Sequence, residues 1–178
     1  MPRQIALLRG INVGAHNRVG MAPLRELLTG LGHEDVRTLL QSGNVVLTSG
    51  ETGERLERSL EQAIASELGV EPRVVVRTVD ELAAVVEHDP FGELVDQPKL
   101  YQVSFLSEPL APAVARELEA ADVAPERVAV HGREIYAWHP NGVQRSPLVK
   151  RLDDRRLGVS ATARNWNTVT KLLELARG

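Results

Sequence analysis

The sequence predicts an α+β protein in two halves, each ordered β-α-β-β-α-β, with antiparallel sheets and helices on one face. Three observations predict it. Short apolar runs of strand length alternate with longer runs whose apolar residues recur at helical spacing. Glycine or proline punctuates most of the changes between them. The order of elements over residues 1–78 then returns over residues 79–178.

Gln4 to Leu8 is a compact apolar strand. Pro23 stands where a first-turn proline belongs, ahead of Leu24, Leu27, Leu28 and Leu31 at helical spacing, and Gly32 stops that helix. Val36 to Leu40 and Asn44 to Thr48 are strands joined by a short Ser-Gly turn. Leu56, Leu60, Ala63, Ile64 and Leu68 mark a second amphipathic helix ended by Gly69, and Arg73 to Arg77 is a fourth strand.

In the second half, Thr78-Val79-Asp80-Glu81 is a capping-box pattern for a linking helix through Val86. Asp89-Pro90-Phe91-Gly92 breaks the chain before a strand from Leu100 to Leu106. A helix from Pro112 to Ala121 follows, then strands Arg127 to Val130 and Glu134 to Trp138 turning near Gly132, an irregular stretch and a terminal helix. Two ferredoxin-like halves, 1–78 and 79–178, fit this order as two domains or one compact unit. The duplication lies in the order of elements and not in the residues themselves.

Composition narrows the class. Of 178 residues, 43% are hydrophobic and 25% charged, the balance of a folded chain. No apolar run approaches the ~20 residues that span a bilayer, and Met1-Pro2-Arg3-Gln4 leads straight into a strand, so a cytoplasmic protein with no membrane partner is expected. The absence of cysteine excludes disulfides, a thiolate nucleophile and Cys-ligated metal. Net charge is -3, which argues against coating a nucleic-acid duplex. Of the 21 basic residues, 18 are arginine, a bias that fits codon usage as well as recognition of phosphate or carboxylate.

Three polar signatures stand out: Arg9-Gly10-Ile11-Asn12-Val13-Gly14, Gln41-Ser42-Gly43-Asn44 and Arg164-Asn165-Trp166-Asn167-Thr168. The predicted topology brings the loop after the first strand and the turn after the second to one end of the sheet. Arg9, Asn12, Gly14 and Asn17 should therefore neighbour Gln41, Ser42 and Asn44. The stripe Val169, Leu172, Leu173 and Ala176 places Asn165 near a helix N-cap, Asn167 and Thr168 in the first turn, and Lys171 one turn on. With Arg164 just before that helix start, the three signatures suit a small anionic or nucleotide-like ligand. No particular cofactor is implied.

Each signature also has a plainer explanation. Gly10 and Gly14 serve positive φ in a long connection, Asn12 and Asn17 close Asx turns, and Ser42-Gly43-Asn44 is ordinary hairpin chemistry. The terminal run reads equally as a well-capped helix with Trp166 as packing anchor and Arg164 paired to a carboxylate. Neither a phosphate-loop nor a dinucleotide fingerprint is present.

An enzyme acting on a phosphorylated or nucleotide substrate is the alternative. The signatures contain no Asp, Glu, His or Cys, so His16 is the nearest candidate general base. Ser42 lacks a nucleophile elbow, and the histidines show no metal-ligand spacing, so no metal is assigned. A nucleic-acid or protein interaction module is the third reading, because Tyr101, Phe105, Tyr136 and Trp138 alternate on two strands and share one sheet face. Their exposure decides between stacking and packing.

The runs Ala6-Leu7-Leu8-Arg9-Gly10-Ile11-Asn12-Val13-Gly14, Met21-Ala22-Pro23-Leu24-Arg25, Gln41-Ser42-Gly43-Asn44-Val45-Val46 and Ala163-Arg164-Asn165-Trp166-Asn167-Thr168-Val169 resemble the bacterial family known as domain of unknown function 1697 (DUF1697). The resemblance spans nearly the whole chain. It implies an α+β fold of ferredoxin-like halves with a shared polar site, and brings no established activity. Ala15 stands where that family often has a second glycine, and Ala163 where it commonly has threonine.

Overall fold

The structure, a computed structural model, describes all 178 residues. The chain divides into two compact units, Met1–Ala83 with Leu172–Gly178, and Ala84–Lys171.

The first unit runs β1 (Arg3–Arg9), α1 (Met21–Gly30), β2 (Glu34–Leu39), β3 (Asn44–Thr48), α2 (Gly53–Leu68) and β4 (Arg73–Thr78), with α3 (Val79–His88) beginning in it. Its antiparallel sheet has the order β2-β3-β1-β4, the ferredoxin-like arrangement expected. α1 and α2 pack Leu24, Leu28, Leu56, Leu60 and Ile64 onto Ala6, Leu8, Val45, Leu47, Val74 and Val76. α2 ends at Gly69, whose φ of 69° carries its N–H to Ala65 O.

The opposite face of this sheet is buried as well. Ladder pairing sets Ile5, Val46 and Arg77 in one row and Leu7, Asn44 and Val75 in the next, and all six are buried. Arg3, on the same face, donates to Ala176 O at 3.1 Å and ties the C-terminal segment to β1. A strand buried on both sides carries a continuous apolar run instead of alternation, which is why Ile5 to Leu8 reads as it does.

The second unit continues from α3 into β5 (Tyr101–Leu106), α4 (Pro112–Ala120), β6 (Arg127–His131), β7 (Glu134–Trp138), α5 (Asp154–Leu157), β8 (Ala161–Asn165) and the start of α6 (Trp166–Arg177). The sheet order, β6-β7-β5-β8, repeats that of the first unit. Leu118 of α4 and Leu157 of α5 pack with Leu106, Ile135, Ala137 and Ala161. The second helix of this half is thus a single turn within the stretch expected to be irregular. The fourth strand, β8, was not visible in the sequence: Ala161-Thr162-Ala163-Arg164-Asn165 lacks an apolar run, and pairing with β5 imposes its extended form, Leu106 opposite Ala161 and Val103 opposite Arg164.

The segment after β7 is pinned from inside. The Glu126 carboxylate accepts from Ser146 Oγ at 2.5 Å and from Leu148 N at 3.2 Å, and meets His139 Nδ1 at 2.5 Å. All three side chains are buried. No helix is long and apolar enough to cross a membrane.

Candidate functional site

The first two signatures converge at one end of the first unit's sheet. Leu8 N donates to Gly43 O at 2.8 Å, which fastens the turn between β2 and β3 to the end of β1. Asn12, with φ 52°, has every polar atom of its side chain engaged: Nδ2 donates to Val19 O at 2.9 Å and Gln41 O at 2.7 Å, and Oδ1 accepts from Val19 N at 2.8 Å. Asn44, fully buried, donates to Leu39 O at 2.7 Å and Ser42 Oγ at 2.9 Å, and so holds the turn between β2 and β3. Gly43 lies against Leu8 and Ile11, where a Cβ would stand 2.8 Å from each.

Around this clasp Arg9, Gly14, His16, Asn17, Arg18, Gln41 and Ser42 are exposed. Two amides therefore build the frame, and the groups facing solvent are cations, an imidazole and small donors. His16 bridges to Val13 through the backbone, but no carboxylate hydrogen-bonds its imidazole to orient it as a base.

Strand register adds a residue that the sequence reading missed. Arg73, at the start of β4, lies directly opposite Arg9 at the end of β1, and both are exposed. Paired residues of an antiparallel ladder share a face, so Arg9 and Arg73 lie side by side on one face of the sheet. No motif links residues 9 and 73. Only the pairing shows it.

The third signature belongs to the second unit. Arg164 is buried, and its Nη1 donates to Thr162 Oγ1 at 2.7 Å and Ala163 O at 2.9 Å. Burial lowers its pKa to about 10, which leaves it charged at neutral pH. Asn165 Oδ1 accepts from Thr168 N at 3.0 Å, the N-cap geometry expected for the start of α6. Thr168 is buried, while Asn167 and Lys171 are exposed.

Three of the four aromatic residues of β5 and β7 are buried. Tyr101, Phe105 and Tyr136 are 1%, 0% and 0% exposed. Trp166 stacks on Tyr101 at 4.7 Å between ring centroids, Tyr136 donates to Val85 O at 3.1 Å, and Tyr101 donates to Asp89 Oδ1 at 2.9 Å. Burial and the Asp89 carboxylate push the Tyr101 phenol pKa well up. These three rings pack, while Trp138, the fourth aromatic residue of that face, stays partly exposed.

Among curated proteins none matches the chain. Among solved structures, it resembles the conserved bacterial protein SP0830 from Streptococcus pneumoniae, with 25% identity, a TM-score of 0.79 and 98% of each chain covered. That likeness runs through both units and supports the duplicated α+β architecture. The family model described as "Protein of unknown function (DUF1697)" matches residues 1–136, from β1 to β7, and the chain belongs to that family.

Proposed function

We propose that the first unit binds a small anionic or nucleotide-like ligand at the end of its sheet where Arg9 and Arg73 stand opposite each other beside the turn between β2 and β3. The observation that carries this is the Arg9–Arg73 pair, two guanidinium-bearing residues directly opposite each other and exposed. Guanidinium groups present forked donors that fit phosphate and carboxylate. Gln41 and Ser42 supply neutral donors beside them, and the clasp made by Asn12 and Asn44 fixes the two loops before any ligand arrives. Preorganisation of this kind lowers the entropy lost on binding.

The test is a thermal-shift titration with inorganic phosphate, pyrophosphate and AMP on the wild type and Arg73→Gln. The wild-type melting temperature rises with at least one of these anions, and Arg73→Gln needs about tenfold more of it for the same shift. Arg73 is exposed, so Arg73→Gln folds and melts close to wild type without anion. Equal responses in the two proteins, or no response in either, would dismiss the site.

A further inference from the structure

The second unit holds a cavity of about 280 Å³ between α4 and the segment that includes α5, lined by Val114, Glu117, Leu118, Arg151, Arg156 and Leu157. Its size is near the lower end for small-molecule sites, about 300 Å³. Val114, Glu117 and Leu118 occupy one face of α4 through their i, i+3, i+4 spacing. Leu118 and Leu157 are buried and join the hydrophobic core, so the floor is apolar.

The charges on its walls are not spent on one another. Glu117 and Arg151 make no ion pair or side-chain hydrogen bond, and Arg156 reaches only Asp153 Oδ2, at 3.7 Å across an exposed i, i+3 pair. The acids beside them are used by the backbone: Asp153 Oδ1 accepts from Arg156 N at 2.8 Å, and Asp154 Oδ1 from Ala161 N at 3.1 Å. One wall thus offers two guanidinium groups and the other one carboxylate, above an apolar floor.

We propose that this cavity binds a zwitterionic small molecule of the aliphatic α-amino acid class. Its carboxylate is held by Arg151 and Arg156, its ammonium by Glu117, and its side chain rests on Val114, Leu118 and Leu157. A purely anionic ligand would bring its charge towards the Glu117 carboxylate, and a purely cationic one towards two arginines. A ligand with both charges satisfies both walls, and a hydrocarbon tail keeps the floor dry.

Calorimetric titration with leucine, 4-methylpentanoate and 3-methylbutylamine separates the parts, since the last two keep the hydrocarbon and lose one charge each. Leucine binds in the micromolar to millimolar range, and each analogue binds at least about tenfold more weakly. Glu117→Gln weakens leucine by about tenfold and leaves 4-methylpentanoate unchanged, whereas Arg151→Gln weakens both. Neither side chain is buried, so both variants fold, and the methyl resonances of Leu118 and Leu157 report whether the ligand reaches the floor. Arg73→Gln retains leucine binding, which separates this cavity from the anion site of the first unit. No binding of leucine at millimolar concentration, equal binding of 4-methylpentanoate, or wild-type affinity in both cavity variants overturns the proposal.

Discussion

Asn12 Nδ2 donates to Gln41 O at 2.7 Å, so a single amide closes the first loop on itself and fastens it to the turn between β2 and β3. The same side chain spans Val19 with one bond in each direction. Removing it leaves a loop held in shape by the Asn12–Asn17 backbone bond and the Val13–His16 bridge, with nothing from Asn12 to fasten it to the β2–β3 turn.

Asn12→Ala is therefore expected to lower stability by about 1–3 kcal/mol, the net worth of three partly exposed hydrogen bonds. The Val19 amide should lose hydrogen-exchange protection with it. Asn12→Asp, which cannot donate, should be nearly as damaging. A melting temperature unchanged in both variants would show that the clasp contributes nothing.

Gly43 is held at φ 87° with Leu8 and Ile11 pressed against its open side. An alanine there combines left-handed strain with a clash against Leu8 Cβ and the end of the Ile11 side chain, both buried. Gly43→Ala should cost about 2–4 kcal/mol and shift the Asn44 amide resonance. Gly10, with φ 83° and open space around it, isolates the backbone term alone, and Gly10→Ala should cost only about 1–2 kcal/mol.

Stability should fall in two steps on acidification. Burial lowers the His33 pKa below 6.5, opposed in part by Glu51, so the unfolded chain takes up a proton first and stability declines as pH drops below about 6.5. For Glu126, burial alone would raise the pKa, but bonds from Ser146, His139 and Leu148 N outweigh it and the net pKa lies below 4.5. Its contribution is complete above the unfolded value and is lost from about pH 4.5 downward, through the folded pKa. Urea unfolding across this range should show the upper step vanish in His33→Gln and the lower one shrink in Glu126→Gln. A wild-type profile flat from neutral to strongly acid pH contradicts both assignments.

How far the sequence reached depends on whether a signal was local. The Thr78–Glu81 capping box is local, and both of its bonds form, Thr78 N to Glu81 Oε2 at 2.8 Å and Glu81 N to Thr78 Oγ1 at 3.1 Å. Gly69 as a helix stop and Asn165 as an N-cap are local in the same sense. The meeting of the first loop with the β2–β3 turn followed from topology once four strands had been placed. What could not be read depends on partners distant in sequence: β8 is extended because β5 pairs with it, and Arg73 faces Arg9 only through register. The buried Glu126, His139 and Ser146 are separated by 13 and 7 residues without a motif. Residue type alone also does not separate a binding amide from a clasp. Asn12 and Asn44 prove to hold loops together, while exposed Gln41 beside them keeps its side chain towards solvent.

Asp89 and Gly92 set the last expectation. Asp89 has φ 24° and accepts from the buried Tyr101 phenol at 2.9 Å, and its carboxylate occupies the space where a Cβ on residue 92 would stand. Gly92→Ala must displace that carboxylate and leave the Tyr101 hydroxyl without its acceptor, at a cost of about 1–3 kcal/mol. Tyr101→Phe removes the hydroxyl and with it the need for the carboxylate. In a double-mutant cycle, Gly92→Ala should therefore cost clearly less in the Tyr101→Phe background than in the wild type. Additive costs would mean that the damage at Gly92 is confined to the loop and does not pass through Asp89 to the aromatic face.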